Sequence, residues 1–286
     1  MRRNVNKWGS LLVIGAAFLA APAQGAVIYY ESFSGSAGDD LSGKAPDVRP
    51  GAEVWIASAS PTANVWKANG SIAQTGLNQH RSAYLPFVPE AGYIYTLSMD
   101  SNPTRLDSPG TGGSSWFALG FTPTNPTTTS WASSSVHGAS GFGIIHRRNP
   151  EDTLGDAGSY GPGLPNIDVG DGIVRHDVGG TGWVNLKIVL DTTAAQWKAS
   201  FYFDNVHYPD GDFTFATNPT DIQYVGFHNR WPLGGGSVDK FMLTVESPGS
   251  HDIPEPPSVV LILVGILAIA MRTRFTTRRT SRYEKS

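Results

Sequence analysis

Chemistry in this chain has to come from carboxylates, imidazoles, hydroxyls and aromatic rings, because its 286 residues include no cysteine. That one absence removes thiolate catalysis, disulfides and cysteine-held zinc or iron–sulfur sites together. Hydrolysis by paired carboxylates needs two acids held about 5 to 9 Å apart. The only adjacent acidic pair containing a glutamate ahead of the C-terminal segment is Glu151-Asp152. Neighbours on a strand face opposite sides, so this pair reads as a loop feature and no catalytic residue is assigned. Gly138-Ala139-Ser140-Gly141 misses the spacing of a nucleophile elbow, which leaves Ser140 as a turn residue. The seven histidines, from His80 to His251, show neither His-x-His nor His-Glu-x-x-His spacing. They read as scattered loop or surface residues.

Oxygen ligands and exposed rings remain. Asp168, Asp171 and Asp177 fall in a Gly-rich stretch, and oxygen-rich irregular backbone is what a hard cation requires. They are the calcium candidates, against the simpler reading of a solvated turn, which also suits Asp210-Gly211-Asp212. Trp55, Trp66, Trp131 and Trp231 lie outside the clearest strand patterns. Trp131 sits in a Ser/Thr-rich loop, and Trp231 follows Asn229 and Arg230. The Asn229-Arg230-Trp231 loop and Trp131 are therefore the carbohydrate-binding candidates, by ring stacking. Core filling is the competing use of a tryptophan.

These residues sit between two export-like ends. Arg2, Arg3 and Lys7 precede an apolar stretch from Leu11 to Ala20, and Ala21, Ala23, Gly25 and Ala26 supply small residues for cleavage. This is the layout of a signal peptide over residues 1–26, cut after Ala23 or Ala26. At the other end Pro254-Glu255-Pro256, in an extended linker over 248–257, is followed by an uncharged run from Val259 to Met271 and then by six basic residues. The prolines favour extended backbone, and the run is apolar on every helical face. Residues 258–271 read as a single membrane helix. It is short, since the roughly 13 residues of the run reach only about 20 Å. The basic segment 272–286 should stay cytoplasmic, with the body outside.

Tripeptide, short helix and basic tail in that order resemble the PEP-CTERM sorting signal. The resemblance covers about the last 35 residues and departs at Pro257 and in the length of the tail. It implies an exosortase-type processing enzyme as partner, an inner-membrane-anchored precursor, and delivery to the cell surface or extracellular matrix, where extracellular polysaccharide is common. A plain tail anchor is the competing reading.

Between the ends, residues 27–247 are long enough for one domain. Nine of the 21 basic residues, but only one of the 24 acidic ones, lie before Trp8 or after Met271, so residues 8–271 carry −11. Phosphate backbones are poor partners for such a body, and no nucleic-acid binding is expected. The 33 glycines and 20 prolines with 11% aromatic residues point to many turns around a real core. Val184, Leu186, Ile188 and Leu190 share one face of a strand, with Asn185 and Lys187 opposite. So do Trp197, Ala199, Phe201 and Phe203 after the Asp191-Thr192-Thr193 turn. Tyr93 to Met99, Trp116 to Phe121, Gly141 to Ile145, Ile222 to Phe227 and Val238 to Val245 read as further strands, and Ser108 to Ser115, Pro123 to Ser135 and Gly155 to Gly172 as loops. An all-β, antiparallel two-sheet sandwich follows, with Leu186, Ile188, Trp197, Phe201 and Phe241 buried.

Glu31-Ser32-Phe33, the hairpin bearing Trp183 and Trp197, and the late Val225-Gly226-Phe227 and Val238-Asp239-Lys240-Phe241 resemble the laminin-G-like, concanavalin-A-like jelly roll over about residues 28–247. An immunoglobulin-like sandwich is the alternative. The resemblance implies calcium as the cofactor to test and polysaccharide as the ligand class. The paired-glutamate pattern Glu-x-Asp-x-x-Glu of that fold's glycoside hydrolases is absent. The expectation is a non-enzymatic surface protein, with a divergent glycan-active enzyme as the alternative.

Overall fold

Period-two alternation becomes two stacked antiparallel sheets in the computed structural model, which describes residues 25–61, 65–68, 73–75, 81–103, 115–127, 141–148, 155–160, 176–178, 182–207, 212–230 and 236–247. Gly25–Pro248 form one compact unit. Among the described residues there is no helix.

The strands in the first half are β1 (Ala26–Glu31), β2 (Ile56–Ala57), β3 (Lys67–Ala68), β4 (Ala73–Thr75), β5 (Arg81–Pro86), β6 (Ile94–Pro103), β7 (Ser115–Thr122) and β8 (Phe142–Arg148). Those in the second are β9 (Gly155–Tyr160), β10 (His176–Val178), β11 (Val184–Asp191), β12 (Lys198–Phe203), β13 (Val206–His207), β14 (Phe213–Thr214), β15 (Tyr224–Arg230) and β16 (Gly236–Glu246). One sheet runs β13-β12-β11-β6-β16-β4-β3, with β1 also on β16 and β14 on β12. The other runs β10-β9-β8-β7-β15-β5-β2.

Alternation decides which face closes the core. Val184, Leu186, Ile188 and Leu190 are buried, as are Trp197, Ala199, Phe201 and Phe203. Opposite them, from the second sheet, come Leu85, Phe117, Leu119, Phe121, Phe142, Ile144, Val225 and Phe227. A ring cluster joins the sheets: Phe227 lies 5.3 Å from Trp55, 4.7 Å from Trp66 and 6.0 Å from Phe241, centroid to centroid. Trp55 and Trp66, which lie outside the clearest strand patterns of the sequence, fill the core. Each such buried ring contributes on the order of 2 kcal/mol by area removed from water.

Glu31 is the one fully buried carboxylate among the residues whose side chains the structure describes. Its Oε1 accepts from the Phe33 N–H at 2.7 Å and from Lys44 Nζ at 2.7 Å, and its Oε2 accepts from Trp55 Nε1 at 3.1 Å. The Glu-Ser-Phe opening is thus a clamp that ties the end of β1 to the segment before β2, with Phe33 held at a φ of 54°.

Three expectations change. Gly155 to Tyr160, expected inside a loop, is strand β9, which forms through its register with β8 although its own small residues carry no apolar alternation. Trp183 lies outside β11 and is 41% exposed. Two histidines are interior: His146 and His228 are buried in strands rather than exposed in loops. His146 Nδ1 lies 2.9 Å from Ser101 Oγ, across the gap between the sheets. A polar pair there satisfies two groups that burial would otherwise penalise.

Candidate functional site

Residues 117, 119 and 121 of β7 and 225 and 227 of β15 point their positions into the core, so the even-numbered residues of both strands occupy the other face of the second sheet. Register then assembles rows across that face. One row reads Ser82, His228, Ala118, Ile145 and Gly158. A second, nearer the strand ends, reads Arg230, Trp116, Arg147, Asp156 and Asp177. One tryptophan, two arginines and two aspartates therefore share a single rung.

The middle of this face is covered. Ser82, Tyr84, Ala118, Ile145 and His228 are all buried. Part of the cover is the segment after β7: the Tyr84 hydroxyl donates to the Pro126 carbonyl at 2.8 Å, and the Thr127 carbonyl accepts from the Ser82 N–H at 3.1 Å and from Ser58 Oγ at 3.3 Å. Burial pushes the Tyr84 phenol well above its ordinary range, so it acts as a hydrogen-bond donor and not as a base. Gly226 leaves no room for a side chain between β15 and β5, since a Cβ there would come to 2.1 Å of the Ala83 carbonyl oxygen.

The Trp116 rung lies at one end of the sandwich. His146, one position before Arg147, meets Ser101, which pairs with Val238 near the start of β16. At the other end Phe87 stacks edgewise on Tyr95, which pairs with Val245, and Val245 pairs with Ala26 at the start of β1. The first strand thus begins, and the last strand ends, at the pole opposite the rung.

The residues expected from sequence are only partly brought together. Asn229 and Arg230 belong to β15 rather than to a loop. Asn229 is 1% exposed, and its Oδ1 accepts from the Arg81 N–H at 3.0 Å, so it is a core hydrogen-bonding residue and not a presented ligand contact. Asp177 lies in strand β10, opposite Asp156, rather than in a Gly-rich loop. Asp168, Asp171, Trp131, Trp231, Glu151, Asp152, the Pro254-Glu255-Pro256 motif, the 258–271 segment and residues 1–24 lie outside the described residues. Among the described residues no group of three His, Asp or Glu side chains is placed to hold a metal, and no helix is long and apolar enough to cross a membrane.

Trp116 and Asp156 were missed in the sequence-based assignment. Trp116 was legible: if Phe117, Leu119 and Phe121 fill the core, position 116 belongs to the opposite face. Asp156 was not, because β9 has no alternation of its own.

Two antiparallel sheets stacked in this order make a concanavalin-A-like jelly-roll sandwich, and solved structures share it. An endo-1,3-beta-glucanase from Streptomyces sioyaensis matches over 80% of this chain and 99% of its own, at 15% identity and a TM-score of 0.50. A legume lectin-like domain from Entamoeba histolytica matches over 69% and 90%, at 10% identity and a TM-score of 0.42. A lectin from Bauhinia forficata in complex with GalNAc matches over 68% and 93%, at 13% identity and a TM-score of 0.40. No family model matches the sequence, and no curated protein does. Likeness at these identities defines the fold, and function has to be argued from the site.

Proposed function

We propose that this is an exported, non-enzymatic protein whose sandwich binds extracellular polysaccharide at the Trp116 rung. One observation carries the reading: register sets Trp116 between Arg230 and Arg147, on the face that does not close the core. An indole offers a sugar ring an apolar face, and guanidinium groups offer several donors to hydroxyls or carboxylates. The glucanase that shares the fold acts on a glycan, which supports that ligand class over peptide or nucleic acid. Sorting follows from the C-terminal order of motif, apolar run and basic tail. An exosortase-type enzyme reads Pro254-Glu255-Pro256 on an inner-membrane-anchored precursor, and the body reaches the cell surface or matrix. Calcium held near Asp168, Asp171 and Asp177 is the cofactor to test.

The test is a glycan array probed with residues 24–253, with and without calcium. Binding to at least one polysaccharide, reduced ten-fold or more by Trp116→Ala, is expected; unchanged binding by that variant would remove the rung as the site.

A second reading, a divergent glycan-active enzyme, is favoured by Asp156 standing opposite Asp177. Residues directly opposed across antiparallel strands share one face of the sheet, and glycoside hydrolysis needs two carboxyl groups near one another. Release of reducing ends that disappears in Asp156→Asn would establish it.

A further inference from the structure

Small residues at Ala21, Ala23, Gly25 and Ala26 leave several cleavage points open. The structure separates their duties. Ala26 opens β1 and pairs with Val245, and Val27 pairs with Thr244. A cut after Ala26 would remove the first rung of that ladder and set the new ammonium group on the second. Gly25 lies directly against β16: a Cβ there would come to 2.8 Å of the Val245 carbonyl oxygen and 2.6 Å of Glu246 Cγ. Its lack of a side chain is explained by that close approach and needs no peptidase to account for it. Ala21-Pro22-Ala23, which precedes the described residues, has the Ala-x-Ala spacing of a signal-peptidase site. A cut after Ala26 would instead place the larger Gln24 at the third position before the bond.

From these separate duties we infer that the Ala23–Gln24 bond is the processing site and that Gly25 and Ala26 remain with the mature sandwich as part of its first strand. The inference rests on the export reading above. Water adds across the Ala23–Gln24 amide, leaving a carboxylate on Ala23 and an α-ammonium on Gln24. The mature chain keeps the full β1–β16 ladder at the pole where β16 ends.

Intact mass and N-terminal sequencing of the full-length protein exported by its host test this directly. The expected first residue is Gln24, read as glutamine or, after loss of ammonia, as pyroglutamate. A mature chain beginning at Ala26 or Val27 would overturn the inference while leaving export standing. A chain still beginning at Met1 would overturn the export reading, and this site with it. Gly25→Val provides a second readout: cleavage should stay at Gln24 while the melting temperature of the exported protein drops by several degrees. An unchanged melting temperature would show that Gly25 is not held by the fold and would count against the assignment.

Discussion

Replacing Glu31 with alanine should cost more than any other single change at a charged residue of the sandwich. The carboxylate is fully buried and receives three donors, from the Phe33 amide, the Lys44 ammonium and the Trp55 indole. Alanine leaves the first and third without acceptors and strands Lys44, whose side chain is 24% exposed and keeps only the Ser34 carbonyl at 2.8 Å. Removing one partner of a buried pair costs about 3 to 5 kcal/mol, which for a domain this size lowers the melting temperature by roughly 10 °C. Glutamine keeps the shape and an acceptor oxygen, so its cost should be about 1 to 2 kcal/mol. The pH dependence supplies a sharper check. Burial raises the Glu31 carboxyl above its ordinary value of 4.5, and the Lys44 bond and charge and the Trp55 bond, which act the other way, do not cancel it. An acid with a raised folded-state value contributes stability that is full below the unfolded value and lost as pH rises through the folded one. Urea denaturation of wild type and Glu31→Gln from about pH 4 to pH 8 should therefore show the wild-type advantage shrinking as pH rises. An advantage that grows with pH, or an alanine variant within about 0.5 kcal/mol of wild type, would refute the argument.

Gly226→Ala puts a Cβ at 2.1 Å from the Ala83 carbonyl oxygen, so β15 must part from β5; a loss of about 3 kcal/mol or failure to fold is expected by thermal denaturation. Thr192→Val removes a buried hydroxyl that accepts from the Tyr93 N–H at 2.9 Å and lies 2.7 Å from the Glu90 carbonyl oxygen; the cost should be about 1 to 3 kcal/mol, read from the urea midpoint. Glu255→Ala removes the only charge between Ile253 and Pro257 while leaving the apolar run and the basic tail unchanged. Mass spectrometry of the C-terminal peptide in the host should show the tail retained in the variant and lost from wild type, and a tail retained in both leaves a simple tail anchor.

The architecture was legible wherever one face of a strand met the core. The β11–β12 hairpin followed from Val184, Leu186, Ile188, Leu190, Trp197, Ala199, Phe201 and Phe203, because period two is what a half-buried strand imposes. The edge of the second sheet was hidden for the same reason: Gly155 to Tyr160 and His176 to Val178 are set by register with β8 and with each other, which a single strand's composition does not encode. Asn229 misled because polar, aromatic-flanked residues look like loop chemistry. Its amide is used inside the fold, on the Arg81 backbone. Sites built from one residue per strand, such as the Trp116 rung, appear only once strand order is known.

Equilibrium binding of residues 24–253 to a panel of neutral and acidic polysaccharides, with reducing ends measured in the same samples, tests the central claim most directly. The account predicts saturable binding to at least one polysaccharide, lost in Trp116→Ala, with no release of reducing ends. Absence of binding across the panel, or turnover abolished by Asp156→Asn, would contradict it.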